Sequence, residues 1–150
     1  MMLHFAYGST LSSRYLRRHC PDAGFLMKAL LPNFRVAFTI YSEEMKGGIA
    51  DIILDPGKVV RGVLYEIPED ELEHLDDVMG VGEGLYTRQI FLVLGEDGAL
   101  YRAALYRGVE EGGPYTPSRR YVELMLEGAE EHQLEPAYVE RLRRLLNSLR

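Results

Sequence analysis

The sequence predicts an α+β fold. Strand-forming runs fill the first two thirds of its 150 residues, helical periodicity fills the last third, and no regular β-α-β alternation links the two. At 47% hydrophobic content the chain can bury one real core and is too short for two ordinary domains, so residues 1–150 are expected to form a single domain.

The elements follow in order. Leu3 to Tyr7 is an apolar strand stopped by Gly8-Ser9, after which Ser12-Ser13 offer caps for a short basic helix through Arg18. Gly24 to Leu31 and Asn33 to Tyr41 are rich in Phe, Val, Ile and Leu, and Pro32 between them suggests two strands with a break. Gly48 to Leu54 and Val59 to Ile67 flank Asp55-Pro56-Gly57, whose Pro presets φ and whose Gly tolerates positive φ; the pair reads as a hairpin.

Pro68-Glu69-Asp70 suits a helix start, Leu72, Leu75 and Met79 recur at helical spacing, and Gly80 can end the helix. Tyr86 to Leu94 and Ala99 to Arg107 form a second hairpin around Glu96-Asp97-Gly98. Val109 to Pro117 breaks every periodicity and is either a lid over a site or an ordinary surface loop. Ser118 or Thr116 can cap a helix to about Glu131, and Pro136 opens a last helix with an apolar stripe at Leu142, Leu145, Leu146 and Leu149.

Composition excludes several function classes. Seventeen Lys and Arg against 23 Asp and Glu leave a net charge of -6, a field that repels phosphate backbones and anionic lipid. The basic run Arg14 to Arg18, broken by Tyr15 and Leu16, reads as one solvated helix face, so no nucleic-acid partner is expected. Cys20 has no partner for a disulfide or a Cys-x-x-Cys site, and His4, His19, His74 and His132 sit on unrelated elements, so no metal is expected. The start of the chain lacks a basic patch followed by an apolar run, and no apolar stretch approaches the roughly 20 residues that span a bilayer. The expectation is a cytoplasmic protein with no membrane partner.

Phe5-Ala6-Tyr7-Gly8-Ser9-Thr10-Leu11 resembles the Tyr-Gly-Ser-Asn-Leu signature of the gamma-glutamyl cyclotransferases (AIG2-like proteins), with Thr10 in the Asn place. Further matches come in the same order: Gly47-Gly48-Ile49-Ala50, Asp55-Pro56-Gly57, Arg61 to Tyr65, Leu75-Asp76 with Gly80-Val81, Gly84-Leu85-Tyr86, Pro117 to Tyr121, and Gly128 to His132. The resemblance covers nearly the whole chain. It implies a small mixed β-barrel with flanking helices and a pocket where the Tyr-Gly-Ser loop meets the barrel mouth. It further implies cyclisation of a γ-glutamyl group to 5-oxoproline with release of an amine or amino acid, with no metal and no organic cofactor. Tyr7, Gly8, Ser9, Thr10, Leu11, Tyr86 and Tyr121 are the expected substrate-binding residues.

The loop itself agrees with such a site. A Gly-Ser pair directly after a strand lets backbone N–H groups converge on a carboxylate or developing oxyanion, although the same residues also suit a plain strand-to-helix turn. Ser9 lacks a Gly-x-Ser-x-Gly context, which argues against a serine nucleophile. Tyr121, at the first turn of a helix, can present its hydroxyl to an anion, and Tyr86 either lines the pocket or packs in the barrel.

Cyclisation uses the substrate's own α-amine as nucleophile, so the protein must take a proton from an ammonium and return one to the leaving amine. One carboxylate can do both, and in the family it is a Glu just before Gly-Val. Here the stretch reads Leu75-Asp76-Asp77-Val78-Met79-Gly80-Val81, and a thioether shuttles no proton. Three readings follow: a binding pocket with little or no turnover, an active enzyme using Glu83 or Asp77 as base, or a related reaction run by other groups. A non-catalytic interaction module, dimerising through an exposed barrel edge or the C-terminal Leu stripe, is a separate alternative.

Overall fold

The computed structural model describes residues 1–150 and contains five strands, four α-helices and one 3-10 turn. In chain order these are β1 (Met2–Ala6), the turn Ser9–Leu11, α1 (Ser13–His19), β2 (Gly24–Ser42), β3 (Gly47–Ile67), α2 (Glu69–Val78), β4 (Tyr86–Gly95), β5 (Leu100–Gly108), α3 (Arg119–Glu131) and α4 (Pro136–Ser148). The strands close into a barrel in the order β1-β3-β2-β4-β5, with β1 returning to β5 through a parallel contact at His4 and Ala104. The expected small mixed barrel with flanking helices is the architecture observed.

Two strand expectations need correction. Pro32 does not split β2, and Asp55-Pro56-Gly57 turns no hairpin: β2 and β3 are long strands paired with each other from Gly24 with Glu66 to Ser42 with Gly47. The hairpin turn is at Glu43–Lys46 instead. Leu54 pairs with Phe34 and Val59 with Pro32, so the four residues 55–58 bulge opposite Asn33 alone. Asn33 takes a positive φ of 68° and its Oδ1 accepts from Gly57 N at 3.1 Å, which holds the bulge shut. Pro and Gly suit a bulge as well as a turn, because both demand the same backbone freedom.

The remaining elements fall where the sequence places them, within a residue or two. Ser12 Oγ accepts from Tyr15 N and caps α1, and Ser118 Oγ accepts from Tyr121 N and caps α3. Gly80, with φ of 71°, follows the last turn of α2. The β4–β5 hairpin turns at Gly98, φ 86°. Segment 109–117 is pinned to the β2–β3 arm: Gly112 N donates to Thr39 O at 3.0 Å, Tyr115 N to Phe38 O at 2.8 Å and Gly48 N to Thr116 O at 2.9 Å. It straps that arm; Tyr115 packs edge-on against Tyr41, and none of the segment's residues lines the chamber or groove described below.

One core fills the barrel and the seam under the helices, with Phe5, Leu11, Leu16, Ile52, Leu64, Tyr65, Leu72, Leu75, Leu105 and Met125 fully buried. Of the C-terminal stripe, Leu142 is buried and Leu145 and Leu146 are half-buried. The buried carboxylate of Asp51 accepts from Thr39 Oγ1 (3.1 Å), Ile52 N (2.8 Å) and Gly108 N (2.9 Å), tying β2, β3 and the end of β5 together. No helix is long and apolar enough to cross a membrane.

Burial also sets a pH dependence. His4 is enclosed in the barrel seam, and desolvation lowers its pKa from 6.5 to about 4. Between those values the unfolded chain binds a proton that the folded chain does not, so stability is complete above pH 6.5 and falls as pH drops towards 4. The expected loss is on the order of 3 kcal/mol for this group. Urea midpoints at pH 7.5 and 4.5 check it, and His4→Gln should flatten the dependence. His132, also lowered by burial, acts in the same direction.

Candidate active site

After Ala6 the chain passes Tyr7 and Gly8 into the Ser9–Leu11 turn, and Leu11 is fully buried. Gly8 is required sterically: a Cβ there would lie 2.6 Å from the Tyr121 hydroxyl and 3.4 Å from Ala50 Cβ. Tyr121, brought by the first turn of α3, sets its hydroxyl against the loop at Gly8. Its phenol oxygen accepts from Ala50 N at 3.1 Å, and Ser9 lies beside it in the same cavity wall.

Two neighbouring spaces flank this oxygen. A chamber of about 20 Å³ is walled by His4, Phe5, Tyr7, Gly8, Ser9, Thr10, Ala50, Met79, Tyr106 and Tyr121. A groove of about 380 Å³ opens to solvent beside it and shares Ser9, Met79 and Tyr121 with the chamber, adding Glu43, Glu44, Gly80, Glu83 and Tyr86. Met79 therefore stands at the boundary between the two. Cavities of about 340 and 420 Å³ elsewhere on the barrel contain none of the loop residues.

The tyrosines are fixed donors. Tyr7 donates to Tyr106 O and Tyr86 to Ala50 O. Burial, first, and neighbouring Asp51 hold the phenol pKa values of Tyr7 and Tyr86 well above their ordinary value, and burial also raises that of Tyr121. All three stay neutral across physiological pH.

The structure separates the expected residues. Tyr7, Gly8, Ser9, Thr10, Tyr86 and Tyr121 gather at the chamber and groove, whereas Leu11 packs behind the turn and lines neither. Glu83 lines the groove, with Oε2 3.6 Å from the point a Cβ on Gly80 would occupy. Asp77 does not reach it. Leu72, Leu75, Asp76 and Met79 share one face of α2, and Asp77, a further 100° round the helix, is exposed.

Asp76 is the carboxylate that turns inward; the sequence marks it as part of the Leu75-Asp76 match without a site role, although its spacing from Leu72 signals the buried face. It pairs with Arg88 at 3.0 Å and accepts from the Tyr106 hydroxyl at 2.6 Å, so it anchors a chamber wall. His4 is a second unanticipated member. Its Nδ1 lies 3.1 Å from Ala104 O and its Nε2 3.4 Å from Thr10 Oγ1. No three His, Cys, Asp or Glu side chains come together as a metal-binding group.

Tyr121→Phe tests the loop's anchor. Removing the oxygen leaves the Ala50 N–H buried without a partner, at an expected cost of about 1–3 kcal/mol. The urea midpoint should fall accordingly, and calorimetric titration with a γ-glutamyl ligand should show weaker binding.

The comparisons with known proteins agree with this architecture. The model of the AIG2-like family matches residues 59–142. The human gamma-glutamylcyclotransferase is 32% identical over 146 residues, covering 94% of this chain and 77% of that protein. The putative gamma-glutamylcyclotransferase YkqA of Bacillus subtilis is 31% identical, covering 97% of this chain and 52% of that protein. A solved gamma-glutamyl cyclotransferase superposes with a TM-score of 0.89 at 31% identity, over 95% of this chain and 86% of that one. Fold and sequence both match over nearly the full length, and the chain belongs to the AIG2-like, gamma-glutamyl cyclotransferase family.

Proposed function

We propose that the chain binds a small γ-glutamyl compound, or a closely related amino-acid-like carboxylate, in the groove between the Ser9 loop and the end of α2. The observation that carries this reading is that Ser9 and the Tyr121 hydroxyl stand together at one wall of the groove while Glu43, Glu44 and Glu83 stand along it. A γ-glutamyl group is zwitterionic at its α-carbon. The donors suit its oxygens and the glutamates suit its ammonium.

On this reading standard cyclotransferase turnover is weak. Met79 occupies the place where the family resemblance expects a Glu, and general acid-base catalysis contributes about 10²- to 10⁴-fold in rate. Binding needs no metal and no organic cofactor. Isothermal calorimetry with a panel of γ-glutamyl amino acids and amines, paired with 5-oxoproline measurement, tests it: heat of binding with little product is expected. A folded protein that binds none of the panel overturns the reading.

A second reading, an active cyclotransferase with Glu83 as base, is favoured by the place of Glu83 on the groove beside Gly80. It predicts brisk 5-oxoproline release and its loss in Glu83→Gln. Under the first reading Glu83→Gln weakens binding by a few-fold and leaves the product yield per bound ligand unchanged.

A further inference from the structure

We propose that the cavity between the β2–β3 arm and α4 is a second binding site, and that it takes a small amphipathic carboxylate: a medium-length alkyl body with one acid head group. The site is independent of the γ-glutamyl reading, because none of its residues lines the chamber or the groove. Three observations carry it. The first is its size and lining. At about 420 Å³ it falls in the range of roughly 300–1,000 Å³ that small-molecule sites occupy. Buried Val60 and Met125 line it together with half-buried Val36, Phe38 and Leu145. The α4 side exists because Tyr138, Leu142 and Leu145 recur at helical spacing and share one face.

The second observation is the sign of its charge. Arg35, Lys58, Arg61 and Arg141 line the cavity and no Asp or Glu does, a local reversal in a chain of net charge -6. Arg35 pairs with Asp55 at 3.3 Å and Arg61 with Glu135, whereas Lys58 and Arg141 form no ion pair. Arg141 lies instead over the Tyr138 ring, 5.9 Å from its centroid. The third observation is Tyr138 itself. Its side chain is buried, and its hydroxyl is the one buried side-chain polar atom of the protein without a hydrogen-bond partner. Such atoms are uncommon, because the bonds given up to water are not replaced. The cations that act on this phenol, Arg141 and Arg61, are both cavity residues. Burial pushes its pKa up to about 12, so the hydroxyl stays a donor in need of an acceptor.

An amphipathic carboxylate answers all three. One oxygen accepts from the Tyr138 hydroxyl and the other from Arg141, whose exposed side chain turns from the ring face to the head group, while Lys58 adds its charge from the 55–58 bulge. The alkyl body covers Val60, Met125 and Phe38. An inorganic anion would leave those apolar walls wet, and a neutral alcohol would leave Lys58 and Arg141 unpaired.

Calorimetric titration of the full chain with octanoate, kept below the concentration at which it forms micelles, tests the site. Saturable binding that weakens as salt is raised is expected, and octanol should bind about tenfold more weakly for want of the charge. Arg141→Glu reverses the charge at an exposed position; it should weaken octanoate by about tenfold and leave octanol unchanged. Tyr138→Phe separates a binding role from a structural one. It should weaken octanoate by about fivefold while the urea midpoint of the free protein holds or rises, because no hydrogen bond is lost. A fall in that midpoint would mean that the hydroxyl is already partnered and overturns the assignment. Octanoate that fails to bind wild type, binds no better than octanol, or binds both variants as tightly as wild type overturns the site. Binding to phosphatidylglycerol vesicles without binding of free octanoate would assign the cations to a membrane surface and overturns it too.

Discussion

Met79→Glu is expected to raise 5-oxoproline formation by about 10²- to 10⁴-fold, the contribution a positioned general acid-base group makes. Position 79 is the residue after α2, held by its N–H donating to Leu75 O at 2.9 Å, so its side chain leaves the helix end at a fixed point. That point borders both the chamber and the groove, next to Ser9 and Tyr121. A Glu there has about the length of the Met it replaces. Partial burial would raise its pKa, which brings a carboxylate closer to the value at which it can both take and return a proton near neutral pH. Product release under saturating γ-glutamyl-alanine is the measurement. No gain in a folded, ligand-binding variant would mean that bound ligand does not place its α-amine at the end of α2.

Gly128→Ala is expected to be the most damaging single methyl group in the protein. Helix propensity alone favours the change by about 1 kcal/mol, because Gly128 lies inside α3. Sterics oppose it and win. The new Cβ would lie 2.2 Å from the Leu11 carbonyl carbon, 2.3 Å from its oxygen and 2.5 Å from its Cβ. Backbone atoms cannot step aside as a flexible side-chain tip can, so α3 or the Ser9–Leu11 turn must move. Overpacking of this kind costs about 1–3 kcal/mol and at times more, and this contact belongs at the upper end. Since α3 carries Tyr121 and the turn carries Ser9, ligand affinity should fall together with the urea midpoint. A variant of wild-type stability would contradict the close approach of helix and turn.

These two positions differ in how far the sequence reveals them. Met79 is visible as an exception, because the ordered run of motifs around Gly80-Val81 makes a missing carboxylate stand out. Gly128 is visible only as a glycine in an amphipathic helix; its reason is a contact with Leu11, more than one hundred residues away. The same divide runs through the site. Tyr7, Gly8, Ser9 and Thr10 are contiguous, so a local motif marks them all. His4, Asp76 and Tyr106 lie on three elements, β1, α2 and β5, and only the tertiary fold brings His4 and Tyr106 to one chamber with Asp76 behind Tyr106.

Local order within the chain was enough to determine the α+β class, the helix caps at Ser12 and Ser118, the β4–β5 hairpin, and the tight turn at Gly8-Ser9. These depend on spacing, capping chemistry and turn residues that interact within a few positions. Tertiary structure alone decided that Asp55-Pro56-Gly57 is a bulge, since only the pairing of β3 with Asn33 and its neighbours across β2 distinguishes a bulge from a turn. It likewise decided that Asp77 points to solvent while Asp76 and Glu83 face inward and grooveward, and that Thr10 meets His4. A side chain's direction follows from what packs against it, and for these residues the packing partner is remote in the sequence.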